Sequence, residues 1–476
     1  MNNTVNIPQG TDLNNAKVTT PHNRKKHDEI FTALLEEIHP INFKDYLGLP
    51  EKEPVAQKHI VVAVIKFLLQ ISKEKNWNLS KVFDYTYIFN GEYWQQCDKD
   101  IIKDFLGKVA IKMGCPDYEA RHYEFKDKLL KQFISDAHLP PPPTDVNRIS
   151  INLQNGTFEF TANGWALRGF NADDFITYQL PFHHTPDATC PMFDKYLSHV
   201  LPDPESRILL QEFSGYIFTP LHFEKMLVLY GSGRNGKSVF FNILQALIGI
   251  ENILTYSLGL FNHEYNRAKL TNVLLNYSSE KGADLNTETF KALISGEPQQ
   301  AREPYGKSFT LRNKVRFIMN ANELPKETEQ TSAFFERWLI IPFDKYIEPE
   351  ERDERLAKNI IAQELPGVFN WLLGGLNRIM TQAKFSDCKK ADVALNEFKR
   401  QSDNVALFVE EFNYITSSAS KDALADLYSE YKVFCHDDGY KPCGKNKFSQ
   451  RLERMGFEKY RNNIGTFFRI EKKNVF

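Results

Sequence analysis

Apolar residues recur at helical spacing through the first third of the chain. Ile30, Leu34, Leu35 and Ile38 fall three and four apart, and the runs from Val61 to Ile71 and from Ile101 to Met113 continue the pattern. That period gathers them on one face of each helix. The stretch from Tyr85 to Trp94 breaks it, with aromatic and β-branched residues around Asn90-Gly91; this predicts a β-hairpin with an Asn-Gly turn. The reading is a mostly helical N-terminal domain over 26–139, preceded by an Asn- and Thr-rich tail at 1–25 without periodicity. Four consecutive prolines, Pro140 to Pro143, can join neither a helix nor a central strand, so 140–145 reads as a stiff connector. Short alternating strands follow at Arg148 to Leu153 and Gly156 to Phe160, turning at Asn155-Gly156. A helical stretch from Pro191 to Phe218 completes an α+β region over 146–220. From Lys225 to Phe343 strands and helices alternate at α/β spacing, and helices resume from Ala357 to Ala383, which predicts an α/β domain over 221–385. The polar segment 386–420 reads as a linker to a small module at 421–476. There, helices at Ala423 to Cys435 and Lys445 to Met455 precede two short strands flanking Asn462 to Gly465.

Composition narrows the class. At ~150 residues per domain, 476 residues hold about three domains, and 42% hydrophobic content excludes bulk disorder. Lys and Arg number 59 against 61 Asp and Glu, a net charge of −2 that excludes a globally basic coat. Charge is uneven, however: from Lys441 to Phe476 ten basic residues face three acids, a local excess of +7. The longest apolar stretch, Ile60 to Ile71, is broken by Lys66 and Gln70 and is short of the ~20 residues that cross a bilayer. The polar start, Met1 to Asn6, has no apolar signal-like run. A protein without membrane spans, in the cytoplasm of a bacterial host, is the expectation. Six scattered cysteines form no Cys-x-x-Cys pair, and neither Cys435, His436 and Cys443 nor His183-His184 near Cys190 has a common zinc spacing. Reduced thiols are expected.

The clearest chemistry lies in the α/β segment. Met226 to Tyr230 is an apolar strand that runs into Gly231-Ser232-Gly233-Arg234-Asn235-Gly236-Lys237-Ser238 and then into a helix from Val239 to Leu247. This is G-x-x-x-x-G-K-[ST] between a strand and a helix, the context its mechanism requires. Glycines let backbone N–H groups close around a phosphate, and the helix N-terminus adds the positive end of its dipole. Lys237 supplies charge to the β- and γ-phosphates, and the Ser238 hydroxyl ligates Mg²⁺. ATP and Mg²⁺ are therefore the expected ligands.

The next hundred residues carry further motifs in order. A strand from Leu270 ends at Ser279-Glu280. Phe290 to Glu297 and Ala301 to Phe309 follow, then a third strand ending in Asn320-Ala321-Asn322-Glu323-Leu324-Pro325, then Phe335-Glu336-Arg337 before the apolar Trp338 to Phe343. The set resembles the superfamily 3 helicases, specifically the phage and plasmid primase-helicase family with its poxvirus and satellite-phage members, over about Val146 to Met380. The resemblance implies a multidomain chain with an AAA+-like P-loop ATPase core, a helical N-terminal domain and a C-terminal winged-helix-like module. It implies that Glu280 is the Walker B acid that polarises the attacking water and serves the metal, with Ser279 where a second acid is frequent and Asp284 a weak substitute. Asn322 takes the place of the polar sensor, with Asn320 two residues earlier on the same strand face. Arg337 takes that of an arginine finger acting on a neighbouring subunit's nucleotide. The alternative for Arg337 is a salt bridge with Glu336 or Asp344.

The resemblance also implies a DNA interface. Arg302 to Phe309 reads as strand, glycine turn, strand, and hairpins at this position follow single-stranded DNA through a ring channel. Lys307 would pair with phosphate and Tyr305 would stack. The basic terminal helix, with Lys445, Lys447 and Arg451, resembles the recognition helix of a winged helix-turn-helix, a module that also docks proteins. The expected function is an ATP-dependent, ring-forming DNA helicase, read as a hexamer, that replicates a phage, plasmid or other mobile element. Its partners are single-stranded or forked DNA, copies of itself, and a separate primase or other replication protein. An origin-binding remodelling ATPase without processive unwinding, and the helicase part of a primase-helicase, remain as alternatives. A primase centre within this chain would need paired carboxylates on a strand, and Asp98-Lys99-Asp100 follows Gln95-Gln96-Cys97 rather than an apolar run.

Overall fold

The computed structural model describes residues 27–82, 85–137, 145–162, 164–278, 286–304, 306, 308–312, 314–324 and 331–473. Helices His27–Glu37, Gln57–Glu74, Lys99–Lys112 and Tyr123–Asp136 turn Ile30, Leu34, Val64, Leu68, Leu106 and Leu129 into one core, as their spacing predicts. Asp98 caps the third of these, accepting from the Asp100 N–H at 2.7 Å, so its carboxylate is a helix cap. Between the second and third helices lies an antiparallel sheet of β1 (Leu79–Val82), β2 (Tyr85–Phe89) and β3 (Trp94–Cys97). β2 is buried along its whole length. Ile88 faces the helical core, while Tyr85, Tyr87 and Phe89 join an aromatic cluster with Phe170 and Phe175.

A second antiparallel sheet, β4 (Arg148–Leu153), β5 (Gly156–Thr161) and β6 (Gly164–Arg168), follows. The helical stretch after it is two helices, Pro191–Val200 and Pro204–Tyr216, rather than one. Pro202 and Pro204 supply no N–H donors, which ends one helix and starts the next. The first has no side-chain cap of its own. Instead the buried Glu364 carboxylate accepts from the N–H groups of Met192 and Phe193, both at 3.0 Å.

The centre is a five-stranded parallel sheet of β7 (Met226–Tyr230), β8 (Ile253–Leu254), β9 (Leu275–Ser278), β12 (Arg316–Ala321) and β13 (Trp338–Pro342), in the order β13-β7-β12-β9-β8. β10 (Gln299–Arg302) and β11 (Ser308–Leu311) form a hairpin in the β9–β12 connection. The sheet is covered on both faces, which explains its near-continuous apolar strands. Leu227, Leu229, Ile318 and Ile341 face one core; Met226, Val228, Phe317 and Ile340 face the other. Helix Leu356–Gln382 lies along Pro204–Tyr216 so closely that the backbones touch. A Cβ on Gly375 would sit 2.1 Å from the Gln211 carbonyl oxygen, and one on Gly215 2.4 Å from the Leu376 nitrogen. Only glycine permits that approach.

The stretch 386–420, read above as a linker, is structured. Helix Lys389–Ser402 lays Phe398 against Trp338 at 4.9 Å between ring centres, and helix Asn404–Glu411 contributes Val405 and Phe408 to the last core. Ala391, Leu395 and Phe398 form an apolar stripe that the surrounding Lys, Asp, Glu and Arg conceal in a composition reading. That last core also holds β14 (Tyr414–Thr416), β15 (Asp422–Ala423), helices Leu424–Asp437 and Lys445–Arg454, β16 (Lys459–Arg461), β17 (Thr466–Phe468) and β18 (Ile470–Lys472). β15, β17 and β16 form a small sheet, and β14 pairs with β18. Among the described residues no helix is long and apolar enough to cross a membrane.

Candidate functional site

The glycine loop leaves the carboxyl end of β7, next to the centre of the sheet, where ligands of parallel α/β sheets gather. Neighbouring segments hold it in place. The Asn235 amide donates to the Phe343 carbonyl at 2.9 Å, the Ile347 N–H to the Arg234 carbonyl at 2.9 Å, and the Tyr196 hydroxyl to the Gly236 carbonyl at 2.8 Å. Gly236 has φ +89, and a Cβ there would lie 2.7 Å from Val200, so backbone conformation and space both demand glycine. It precedes helix Lys237–Ile248, whose first turn has no side-chain cap. Its leading N–H groups are left for another acceptor.

Lys237 is buried, with 3% of its surface exposed. Its ammonium donates to the Gly231 carbonyl at 2.6 Å, the Asn235 amide oxygen at 2.9 Å and the Asn322 amide oxygen at 3.4 Å. Burial lowers its pKa from the ordinary lysine value. Among the described residues no carboxylate pairs with it. A buried cation held only by neutral oxygens is a site that an anion completes.

The loop forms one side of a cavity of about 1130 Å³. Ser238, Asn320 and Asn322 line it beside Lys237; Met192, Tyr196 and Val200 form the opposite wall, and Ile347 to Leu356 its rim. Of the two asparagines, Asn322 is the one within reach of Lys237. On the rim, Tyr346 is flanked by Arg234 (3.4 Å) and Arg352 (3.0 Å), which draw its phenol pKa down. The sequence reading missed Tyr196 and this rim: Tyr196 lies 40 residues before Gly236 and reads as an ordinary core position on an amphipathic helix.

Arg337 lies at the opposite end of the sheet. The register pairs Trp338 with Met226 and Pro342 with Tyr230, which puts Arg337 roughly 17 Å from the glycine loop, beyond the span of its side chain. Its guanidinium pairs with Glu224 at 3.0 Å, rather than with Glu336 or Asp344. Glu280, Asp284, Tyr305, Lys307 and Pro325 lie outside the described residues. β9 pairs with β12 and ends at Ser278, two positions before Glu280 in the sequence. The hairpin that carries Tyr305 and Lys307 touches the N-terminal sheet. The Tyr85 hydroxyl donates to Glu303 at 3.1 Å, Lys269 pairs with the same carboxylate at 2.9 Å, and the Tyr85 and Phe309 rings meet edge-on at 5.9 Å. Burial and the Glu303 charge raise the Tyr85 phenol pKa.

In the terminal module Lys445 and Lys447 are exposed on helix Lys445–Arg454. Arg451, one turn after Lys447, is already engaged. Its side chain is 13% exposed and its guanidinium turns inward to Asp403 and to Asn404, the latter at 3.2 Å, fastening this helix to the start of Asn404–Glu411.

Residues 66–202 match the family described as D5 N terminal like, 400–475 match Poxvirus D5 protein-like, and 229–337, which span the glycine loop and Arg337, match a family of unknown function, DUF5906. In these segments the chain is similar to the phage and poxvirus-type primase-helicase family. A curated relative, the putative helicase L207/L206 of Acanthamoeba polyphaga mimivirus, is 23% identical over 254 residues. That match takes in 49% of this chain and 26% of the relative, so the chain spans about a quarter of the relative's length. Among solved structures, the apo NrS-1 C-terminal region is similar at 12% identity and a TM-score of 0.49, over 86% of this chain and 99% of that one. An A-form apo structure of the same region gives 13% identity and a TM-score of 0.47, over 72% and 77%.

Proposed function

We propose that this chain is an ATP-driven DNA helicase of the superfamily 3 type, working in replication as a ring of identical subunits. The carrying observation is Lys237: a buried ammonium without a carboxylate partner among the described residues, at an uncapped helix start, in a cavity large enough for a nucleoside triphosphate. The loop's N–H groups and Lys237 bind the phosphates, and Asn322, 3.4 Å from the Lys237 ammonium, orients water. Mg²⁺, held through Ser238 and the Glu280 segment, would neutralise phosphate charge. Glu280 takes the proton of the attacking water. The direct test is ATP hydrolysis by the purified chain, with and without single-stranded DNA, followed by unwinding of a forked duplex. ATP-stimulated binding without strand separation would favour the remodelling alternative.

Glu280→Gln keeps the shape of the side chain and removes the base. It is expected to bind ATP with near-normal affinity and to hydrolyse it at least ~100-fold more slowly, read by nucleotide fluorescence and single-turnover assays. A collapse in affinity would make Glu280 structural.

The terminal module is proposed as a winged helix, with Lys445 and Lys447 on its DNA face and β16–β17 as the wing. Cutting the chain at Lys421 is a poor test, because it strips β18 from β14 and opens the core around Phe408. Lys445→Glu with Lys447→Glu leaves the buried Phe448 and Leu452 in place. Losing two phosphate contacts should make the slope of log affinity against log salt shallower by about 1.8 on duplex DNA. An unchanged slope would assign the face to a protein partner.

A further inference from the structure

Arg337 is held at one point of the fold by two residues from different segments. Its Nη2 donates to the Glu224 carboxylate at 3.0 Å and to the Ser295 hydroxyl at 2.5 Å, and Nε reaches the same hydroxyl at 3.1 Å. The Ser295 hydroxyl in turn donates to Glu224 at 2.9 Å, closing a three-membered network, while Nη1 donates to the Ala333 carbonyl. The arginine side chain is 13% exposed and the Glu224 side chain 51%. Glu224 has φ +53, a left-handed conformation that a glutamate adopts at a cost. The fold thus maintains an unfavourable backbone where a carboxylate meets Arg337.

Ser295 has a second significance, its place in the chain. It is the C-cap of helix Thr287–Ile294, which begins seven residues after Glu280 and ends five residues before β10, the first strand of the hairpin. The same helix end is pinned again by His222, whose Nε2 lies 3.0 Å from the Ile294 carbonyl and whose Nδ1 lies 3.2 Å from the Arg316 guanidinium. Arg316 can only donate, so Nδ1 accepts and the ring proton sits on Nε2, facing Ile294. One short helix therefore runs from the acid-bearing segment to the hairpin and ends on the arginine.

We propose that Glu224 and Ser295 are positioning residues for Arg337, and that through Ser295 they tie the arginine a subunit offers its neighbour to the helix between that subunit's own Glu280 and hairpin. This rests on the reading of Arg337 as acting across a subunit boundary. A shift of the helix, from either end, would then turn the guanidinium and change hydrolysis next door.

The test uses Glu224→Ala and Ser295→Ala in the full chain. Each is expected to keep its own nucleotide affinity and melting temperature and to lose about tenfold or more in ATP turnover, as misplaced positioning groups do. The decisive measurement is mixing. Either variant mixed with Glu280→Gln protein should regain turnover, because some interfaces then join an intact Glu280 to a well-held Arg337. Mixed with Arg337→Ala it should regain none, because both partners are damaged on the same side of the interface. Wild-type turnover in both variants would overturn the proposal, and so would a loss that Glu280→Gln cannot rescue although it rescues Arg337→Ala. If Arg337→Ala is not rescued either, the reading across the boundary has failed and the inference falls with it.

Discussion

Replacing Lys237 by alanine is expected to lower ATP turnover by on the order of 10³-fold and to abolish unwinding. The reason lies in what the side chain leaves behind. The residue is 3% exposed and the oxygen partners of its ammonium, on Gly231, Asn235 and Asn322, are neutral. Its charge is thus not spent on a structural ion pair among the described residues. The alanine variant would leave those oxygens facing one another and the bound phosphates without their main side-chain cation. Folding should survive, because β7 and helix Lys237–Ile248 are anchored by Leu227, Leu229, Ile243 and Leu247. Arginine is no substitute, since a planar fork does not fit where a compact ammonium is enclosed. The measurements are steady-state turnover and a melting curve; near-normal turnover in a folded variant would remove the ATPase reading.

The second large effect is expected at Arg337. Arg337→Ala should bind ATP normally at its own loop, roughly 17 Å away along the sheet, yet hydrolyse it on the order of 10³-fold more slowly. Mixing Arg337→Ala with Glu280→Gln protein should restore turnover, because in a head-to-tail assembly about one interface in four then receives both intact residues. Restoration should track the mixing ratio and vanish for either protein alone. If subunits exchange and no ratio restores turnover, the shared interface is absent and the ring with it.

How much of this could be read from residues alone depended on distance along the chain. The strand, glycine loop and helix are contiguous, so their order is legible, and Met226–Tyr230 forms as its apolar run predicts. Arg337 was legible as a position but not as a contact. Its carboxylate partner, Glu224, precedes it by 113 residues, whereas local reading offered Glu336 and Asp344. Arg451 illustrates a different limit. A charge count identifies a basic helix, but only packing shows that this guanidinium turns inward to Asp403 and Asn404. The 386–420 segment was misread because three apolar residues, correctly spaced, are outnumbered by charges around them.

The glycine contact between helices Pro204–Tyr216 and Leu356–Gln382 would constrain how the proposed nucleotide exchanges. Backbones in contact cannot slide past one another as side-chain layers do, so the pair behaves as one rigid beam. Glu364 clamps the start of helix Pro191–Val200, and with it the cavity wall of Met192, Tyr196 and Val200, to that beam. A hinge on that side is therefore denied to the chain. Release of the proposed nucleotide would fall to the rim from Ile347 to Leu356, which the contacts of Tyr346 with Arg234 and Arg352 fasten. The pace of the proposed ATPase would then be set by the unfastening of this rim, and stiffening it would slow turnover without altering a single proposed catalytic group.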